Sequence, residues 1–313
     1  VIGGYLIIKG EQSVSTITVF IAYTKLVMQP IVDLSNIANN LQSSLASAER
    51  VFNILEADEE TDDTAVTEIE TGSSIEFQDV EFSYLPEKPL IENFNLKVNK
   101  GELVAIVGPT GAGKTTIVNL LMRFYEIKSG AIKIDDVDIR DISRKNLRSV
   151  MGMVLQDTWL FEGTVKENIM YGNEKATEEE FMRAAKAAKV DHFVSLLPDG
   201  YDTMLEEDGA NLSVGQRQLI TIARAFLSSP DILILDEATS SVDTRTEMQI
   251  QQAMQNLMQG RTNFVIAHRL STIRKADKIL VMNEGRIVET GNHKELMAKD
   301  GFYAEIYNSQ FLD

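Results

Sequence analysis

Residues 108–116 read GPTGAGKTT and follow the apolar run LVAIV at 103–107. Gly108, Gly111 and Gly113 let a backbone turn its N–H groups inward around phosphate oxygens. Lys114 reaches the β- and γ-phosphates, and the Thr115 hydroxyl can ligate Mg²⁺. An ordinary glycine turn would need neither the Lys-Thr pair nor the strand before it. Further along, DILILDEATSS starts at Asp231 as an apolar strand and ends in two acids. Asp236 suits the shell of a Mg²⁺ ion, and Glu237 can take the proton of an attacking water. VIAHRLS repeats the design one strand later and sets His268 at a strand end, within reach of a γ-phosphate. Gln156, in VLQDTWLF, is neutral and can touch both metal and water without neutralising the ion. Tyr84, in FSYLPEKPL, offers an aromatic face to an adenine, although taken alone it reads as a packing residue. A second phosphate-facing helix start lies at 211–218, NLSVGQRQ, where a Ser-x-Gly turn opens a helix.

These residues need a scaffold that brings distant loops to one edge. From Ser74 onward short β-rich runs recur: IEFQDVEFSY, LIENFNLKV, LVAIVG, AIKIDDVDI, GMVLQ, DILILDE, TNFVIAH, KILVM and RIVE. Helical stretches fall after Lys114, around Glu178 to Ala188, after Val214 and from Thr244 to Leu257. Strands alternating with helices indicate an α/β fold with a mainly parallel sheet. Trp159, His192 and His293 read as surface or packing groups, with no partner residues beside them.

The N-terminal part differs in kind. Between Glu11 and Asp33 the only charge is Lys25, an interval close to the ~20 residues of a membrane helix. Its Ser and Thr residues, Gln29 and Pro30 suit a helix beside a water-filled cavity, and a buried helix of a soluble protein fits the hydropathy as well. Leu34, Ile37, Leu41, Leu45, Val51 and Phe52 continue helical spacing to Leu55. EADEETDD at 56–63 then reads as a solvated linker and a domain boundary. The chain opens at Val1 without a signal-peptide pattern and reads as a piece of a longer polypeptide. A net charge of −17 argues against a nucleic-acid surface, and the absence of cysteine excludes disulfides, Cys-based zinc sites and a thiol nucleophile.

FSYLPE, GPTGAGKTT, VLQDTWLF, NLSVGQRQ, LILDEATSSVD and VIAHRLST occur in this order. Together they resemble the nucleotide-binding domain of ABC transporters, of the exporter type, over residues 74–313. The resemblance implies an α/β P-loop NTPase with a RecA-like core and a helical subdomain at about 157–228. It also implies that 1–56 end a transmembrane domain, as the close of a fifth membrane helix and all of a sixth with a cytoplasmic extension, and that 57–73 form the linker. ATP and Mg²⁺ are the implied ligands. Nucleotide contacts would come from Tyr84, Gly108, Pro109, Thr110, Gly111, Ala112, Gly113, Lys114, Thr115 and Thr116. Metal contacts would come from Thr115, Gln156 and Asp236, and catalysis from Glu237, His268 and Gln156.

Such domains dimerise head to tail, so that NLSVGQ of one closes over the ATP held by the loop of the other. Ser213, Gly215, Gln216 and Asp243 would then serve the partner's nucleotide. GTVKENI, from Gly163, resembles the segment by which exporters touch their membrane helices. Val214 stands where the family signature usually has glycine, a pattern that resembles one half of an exporter with two unlike halves. The implied partners are therefore a second, different half-transporter, the membrane and a small amphipathic or lipid-like substrate, with no nucleic acid. The implied place is the cell membrane, multi-pass, with the ATPase domain on the cytoplasmic side. A soluble ATPase acting on DNA and an uptake-type ATPase subunit are the competing readings.

Overall fold

The computed structural model describes residues 2–10, 13–57, 69, 74–155, 157–237 and 242–311. Gln156 and most of the acidic 57–73 segment lie outside them. The chain divides into two compact units, Val1–Asp62 and Asp63–Asp313.

The first unit holds helix α1 (Ile2–Ile8) and helix α2 (Val14–Leu55), which Ser13 caps by accepting from the Thr16 amide at 3.1 Å. At ~1.5 Å per residue, 42 residues make a rod of roughly 60 Å, about twice the hydrocarbon thickness of a bilayer. One half is apolar enough to cross a membrane, and Phe20, Leu26, Val27 and Ile31 on it are exposed. Several of its hydroxyls are paired within the helix: Thr18 donates to the Val14 carbonyl at 3.0 Å, Thr24 to Phe20 at 2.8 Å and Ser35 to Ile31 at 3.1 Å. That internal pairing lets polar residues sit on a helix without water.

The second unit contains strands β1 (Ile75–Phe82), β2 (Ile91–Val98), β3 (Leu103–Val107), β4 (Ser129–Ile134), β5 (Val137–Asp138), β6 (Met151–Val154), β7 (Gly163–Thr164), β8 (Met204–Leu205), β9 (Ile232–Asp236), β10 (Thr262–Ile266), β11 (Lys278–Asn283) and β12 (Arg286–Gly291). Between and after them come α3 (Lys114–Leu121), α4 (Arg144–Ser149), α5 (Val165–Met170), α6 (Glu178–Ala187), α7 (Val190–Val194), α8 (Val214–Ser228), α9 (Thr244–Met258), α10 (Leu270–Lys275), α11 (His293–Lys299) and α12 (Phe302–Phe311).

The expected mainly parallel sheet is present, and two antiparallel sheets accompany it, one of four strands and the short pair β7-β8. A six-stranded sheet runs β12-β11-β3-β10-β9-β6 and is parallel except at β12. A separate antiparallel sheet runs β2-β1-β4-β5. The run AIKIDDVDI therefore belongs to two strands. Asp135 and Asp136 both take positive φ, 47° and 67°, and fold β5 back on β4 as a tight hairpin turn requires.

Successive residues of the parallel strands serve opposite cores. Val104, Ile106, Ile232, Ile234 and Phe264 pack toward the antiparallel sheet and α3, whereas Ala105, Val107, Leu233, Leu235 and Val265 pack toward the helices. Burial on both faces explains why LVAIV and ILIL are continuously apolar rather than alternating. On the helical side α8 is central, packing against α5, α6, α7 and α9.

Candidate nucleotide site

The C-terminal ends of β3, β10 and β9 lie side by side. Ile266 pairs with Ile106 on one flank and with Asp236 on the other. The chain leaves this edge as the glycine loop after β3, as Ala267–His268 after β10 and as Glu237 after β9, so one sheet edge carries all three motifs. In open α/β sheets this is the edge where ligands bind.

The loop follows β3 so closely that a Cβ on Gly108 would stand 2.2 Å from the Met282 carbonyl oxygen of β11. Only glycine fits there. α3 begins at Lys114 behind Gly113, which takes φ 93° and offers no side chain to cap the helix. Apart from the Thr116 amide, which donates to the Gly113 carbonyl at 3.0 Å, its first-turn amides are thus left to an anion. Lys114 Nζ donates to the Gly108 carbonyl at 2.7 Å and the Pro109 carbonyl at 3.0 Å. Burial lowers the proton affinity of this ammonium, and the charge of Asp236 opposes that shift. A cleft of about 250 Å³ opens here, lined by Gly108, Pro109, Thr110, Lys114, His268 and Tyr307 among others.

Within the loop the expected contacts divide. Gly111 and the Thr115 side chain are exposed. Ala112 is buried, and its amide is spent on the Pro109 carbonyl at 3.2 Å. Thr116 is also buried, with its hydroxyl 3.3 Å from the Tyr84 hydroxyl. Neither side chain is open to a ligand, because both belong to the seam that fixes α3 under the loop. Tyr84 itself is half-exposed and held edge-on by Phe82 and Tyr125, at ring distances of 4.8 and 5.0 Å.

Asp236 has a buried Oδ1 without a hydrogen-bond partner. Such an orphaned oxygen fits a cation or its water. Among the described residues there is no cluster of three or more acidic, histidine or cysteine side chains able to hold a metal. That is compatible with Mg²⁺, which is commonly held by one or two protein oxygens plus phosphates and waters. Glu237 is buried, its Oε1 accepts from the Thr272 hydroxyl at 2.5 Å, and its Oε2 has no partner. Burial raises its proton affinity, and the Thr272 hydroxyl and the nearby Arg269 counter this. His268 is exposed in the cleft, but Glu237 lines a different cavity, beside Gln218, Arg269 and Thr272. Glu237, expected to take the proton of an attacking water, is held here by the Thr272 hydroxyl and does not line the loop cleft.

The second helix start is built otherwise. Ser213 caps α8, accepting from the Gln216 amide at 3.3 Å, while the Ser213 amide donates to Gln216 Oε1 at 2.9 Å. The Ser-x-x-Gln spacing is therefore a capping box. A Cβ on Gly215 would lie 2.3 Å from Thr246 Cγ2, so this glycine is required by packing against α9. Val214, the first residue of α8, is 40% exposed. Asp243, expected to serve a nucleotide, spends one carboxylate oxygen capping α9, accepting from Arg245 and Thr246 amides at 3.1 and 3.0 Å. Those bonds, led by the one from Thr246, hold its proton affinity down.

α5 carries the capping box of Thr164 and Glu167. Beside it the Arg224 guanidinium lies 6.0, 5.7 and 5.5 Å from the rings of Trp159, Phe161 and Tyr171. Burial takes the Arg224 pKa down to about 10. Trp159 thus has partners, contrary to the sequence reading. So do His192, whose Nε2 is 3.4 Å from Arg245 Nη2, and His293, whose Nδ1 is 2.8 Å from the Tyr303 hydroxyl. These pairs join distant segments and leave no local spacing to read. Sequence reasoning also missed Thr272 and the cleft-lining Tyr303 and Tyr307; for the tyrosines the available signal was their i, i+4 spacing on one helix.

Residues 91–240 match the family described as ABC transporter. The "Fatty acid ABC transporter ATP-binding/permease protein" of Mycobacterium bovis is 55% identical over 306 residues, covering 98% of this chain and 48% of that protein. The "ATP-dependent lipid A-core flippase" of Desulfotalea psychrophila is 49% identical over 311 residues, covering 99% and 54%. The chain thus spans about half the length of these curated relatives. A bacterial Atm1-family ABC exporter solved with ATP bound superposes with a TM-score of 0.77 at 38% identity, over 96% of this chain and 53% of that one. With its glycine loop, signature turn and strand-end acids on one ATPase fold, the chain belongs to the ABC transporter family.

Proposed function

We propose that this chain is the ATP-hydrolysing end of an exporter half, and that closure of two such nucleotide domains on ATP drives a lipid-like or other small amphipathic substrate across a membrane. The observation that carries the reading is the uncapped start of α3 beside Lys114, with Asp236, Glu237 and His268 at the ends of neighbouring strands. Gly111, Gly113 and Lys114 hold the phosphates, and Tyr84 stacks the adenine. Thr115 and Asp236 hold Mg²⁺, with Gln156, which lies outside the described residues. The ion supplies charge neutralisation for the phosphoryl oxygens. Glu237 takes the proton of water, and His268 steadies the γ-phosphate.

The apolar part of α2 is the membrane part, and the ATPase domain works on the cytoplasmic side. Trp159 and Tyr171, more than half exposed beside GTVKENI, offer the surface on which membrane helices press. Relatives named for fatty acid and lipid A-core support an acyl amphiphile as cargo. The complete transporter in sealed vesicles should show Mg²⁺-dependent ATP turnover stimulated by such a lipid, with the lipid moved in step. ATP turnover indifferent to every acyl amphiphile and raised instead by duplex DNA would overturn the reading.

The partner is a different half. Val214 is accommodated within this domain, so its effect must be felt across the interface, where a β-branched side chain replaces glycine against a phosphate. In exporters of two unlike halves, the half that keeps the catalytic Glu commonly lends the altered signature. Activity should therefore appear only when a second half-transporter is added. A stable dimer of the full-length chain alone, with two equally active sites, would exclude this.

A further inference from the structure

Glu237 lines one of two cavities in this part of the domain. One is the loop cleft of about 250 Å³, walled by Gly108, Lys114 and His268, and Glu237 is not among its lining residues. The other, of about 30 Å³, is walled by Glu237, Gln218, Met254, Arg269 and Thr272. It has room for one water at most. Among the described residues the one side-chain hydrogen bond of the carboxylate is from the Thr272 hydroxyl, at 2.5 Å, and it lies on this second side. The other carboxylate oxygen is buried without a partner. A base for water attack on a phosphate must stand within hydrogen-bond reach of that water, and on this reading phosphate and water meet in the loop cleft, which Glu237 does not line.

We propose that Thr272 is a positioning residue: its hydroxyl latches the Glu237 carboxylate on the α10 side, away from the loop cleft, and each turnover requires this bond to break. The inference rests on the reading of Glu237 as the general base. Two features suit a latch rather than a permanent seat. The Oε2 has no partner in hydrogen-bond geometry, although the His268 and Arg269 backbone amides also help hold the carboxylate, so the held position leaves one oxygen able to take a partner elsewhere. Thr272 also sits four residues after His268, at the start of the short helix α10. A shift of His268 toward a bound phosphate therefore moves the hydroxyl that holds the acid. Arg269, between them, is tied to Glu247 of α9 at 3.0 Å, which gives the segment a fixed point to pivot on.

The test uses the complete transporter in vesicles, with Thr272→Val, Thr272→Cys and Thr272→Ser, each also combined with Glu237→Gln. Valine keeps the shape and removes the donor. Cysteine keeps a weak donor, and serine keeps the hydroxyl. Loss of a hydrogen bond to a charged group shifts a two-state balance by about tenfold. Maximal ATP turnover should rise about three- to tenfold in Thr272→Val, less in Thr272→Cys and not at all in Thr272→Ser, with KM for ATP unchanged. The rise should vanish in every Glu237→Gln double variant. Should Thr272→Val fold poorly, the Cys and Ser pair carries the same contrast. Turnover at or below the parent rate in both Val and Cys, with Glu237→Gln inactive, would overturn the latch and leave the base in place. Near-parent turnover in Glu237→Gln alone would overturn the base, and the latch with it.

Discussion

The two helix starts expected to face phosphate are unlike in one respect. α3 follows Gly113, which has no side chain to cap it, whereas α8 follows Ser213 and is closed by a reciprocal bond pair with Gln216. A helix end left open is completed by whatever anion reaches it; a helix end already closed has less to give. At α8 the spare donors are the Ser213 hydroxyl proton and the amides of Val214 and Gly215, which precede the first intrahelical bond. On the proposed function the contrast would give them an order: the glycine loop would capture nucleotide unaided, and the signature turn would dock on a phosphate that another domain already holds.

The largest expected effect lies beyond either helix, at the base. Glu237→Gln should lower ATP turnover on the order of 10²-fold or more while ATP binding at the α3 loop survives. Single-turnover kinetics beside an equilibrium binding measurement separate the two. The pH profile adds a sign. Burial raises the Glu237 pKa, so the acid is protonated, and its use as a base lost, as pH falls through a point above the usual carboxylate value. The acidic limb of kcat in the parent should therefore lie higher than that of an exposed glutamate. An acidic limb that persists unchanged in Glu237→Gln would assign it to another group.

A smaller effect sharpens the contrast itself. Ser213→Ala removes the α8 cap, at about 1 kcal/mol of stability, and the hydroxyl meant for a partner's phosphate. Turnover of the assembled transporter should fall about tenfold with no change in the ATP affinity of the same chain's loop. Ser213→Thr, which keeps a capping hydroxyl, should stay near the parent. Weakened ATP binding at the same chain's loop in Ser213→Ala would end the division of labour between the two helix starts.

How far these arguments could run from sequence depended on range. Gly113-Lys114-Thr115 and Ser213-x-x-Gln216 are local patterns, and the helices they open begin where the residues place them. The strands LVAIV and ILIL were equally plain, because burial on both faces leaves an unbroken apolar run. What was hidden is long-range or two-sided. Asp135 and Asp136 split one apparent strand into a hairpin through backbone conformation that aspartate only tolerates. The bond from Thr272 to Glu237 joins residues 35 apart, and neither side chain announces the other. Nothing in LDEATSS says which way the second acid turns, since that is decided by a donor on another element.

The smallest expected effect falls at the edge of the α3 half-site. Tyr84 is 47% exposed, its ring is nearly perpendicular to those of Phe82 and Tyr125, at 85° and 88°, and its hydroxyl meets Thr116 one turn into the phosphate helix. Edge-on neighbours fix the ring plane, and an aromatic face so held can take an adenine without further ordering. Stacking of this kind contributes ~1 kcal/mol. Tyr84→Ala should then weaken ATP several-fold, and Tyr84→Trp should preserve affinity because it keeps a broad face. Tyr84→Phe tests the hydroxyl alone, whose 3.3 Å contact with Thr116 is long for a hydroxyl pair, and the change should be the least of the three. Equal ATP affinity across all of them would return Tyr84 to the packing residues and leave the α3 end to hold nucleotide by its phosphates alone.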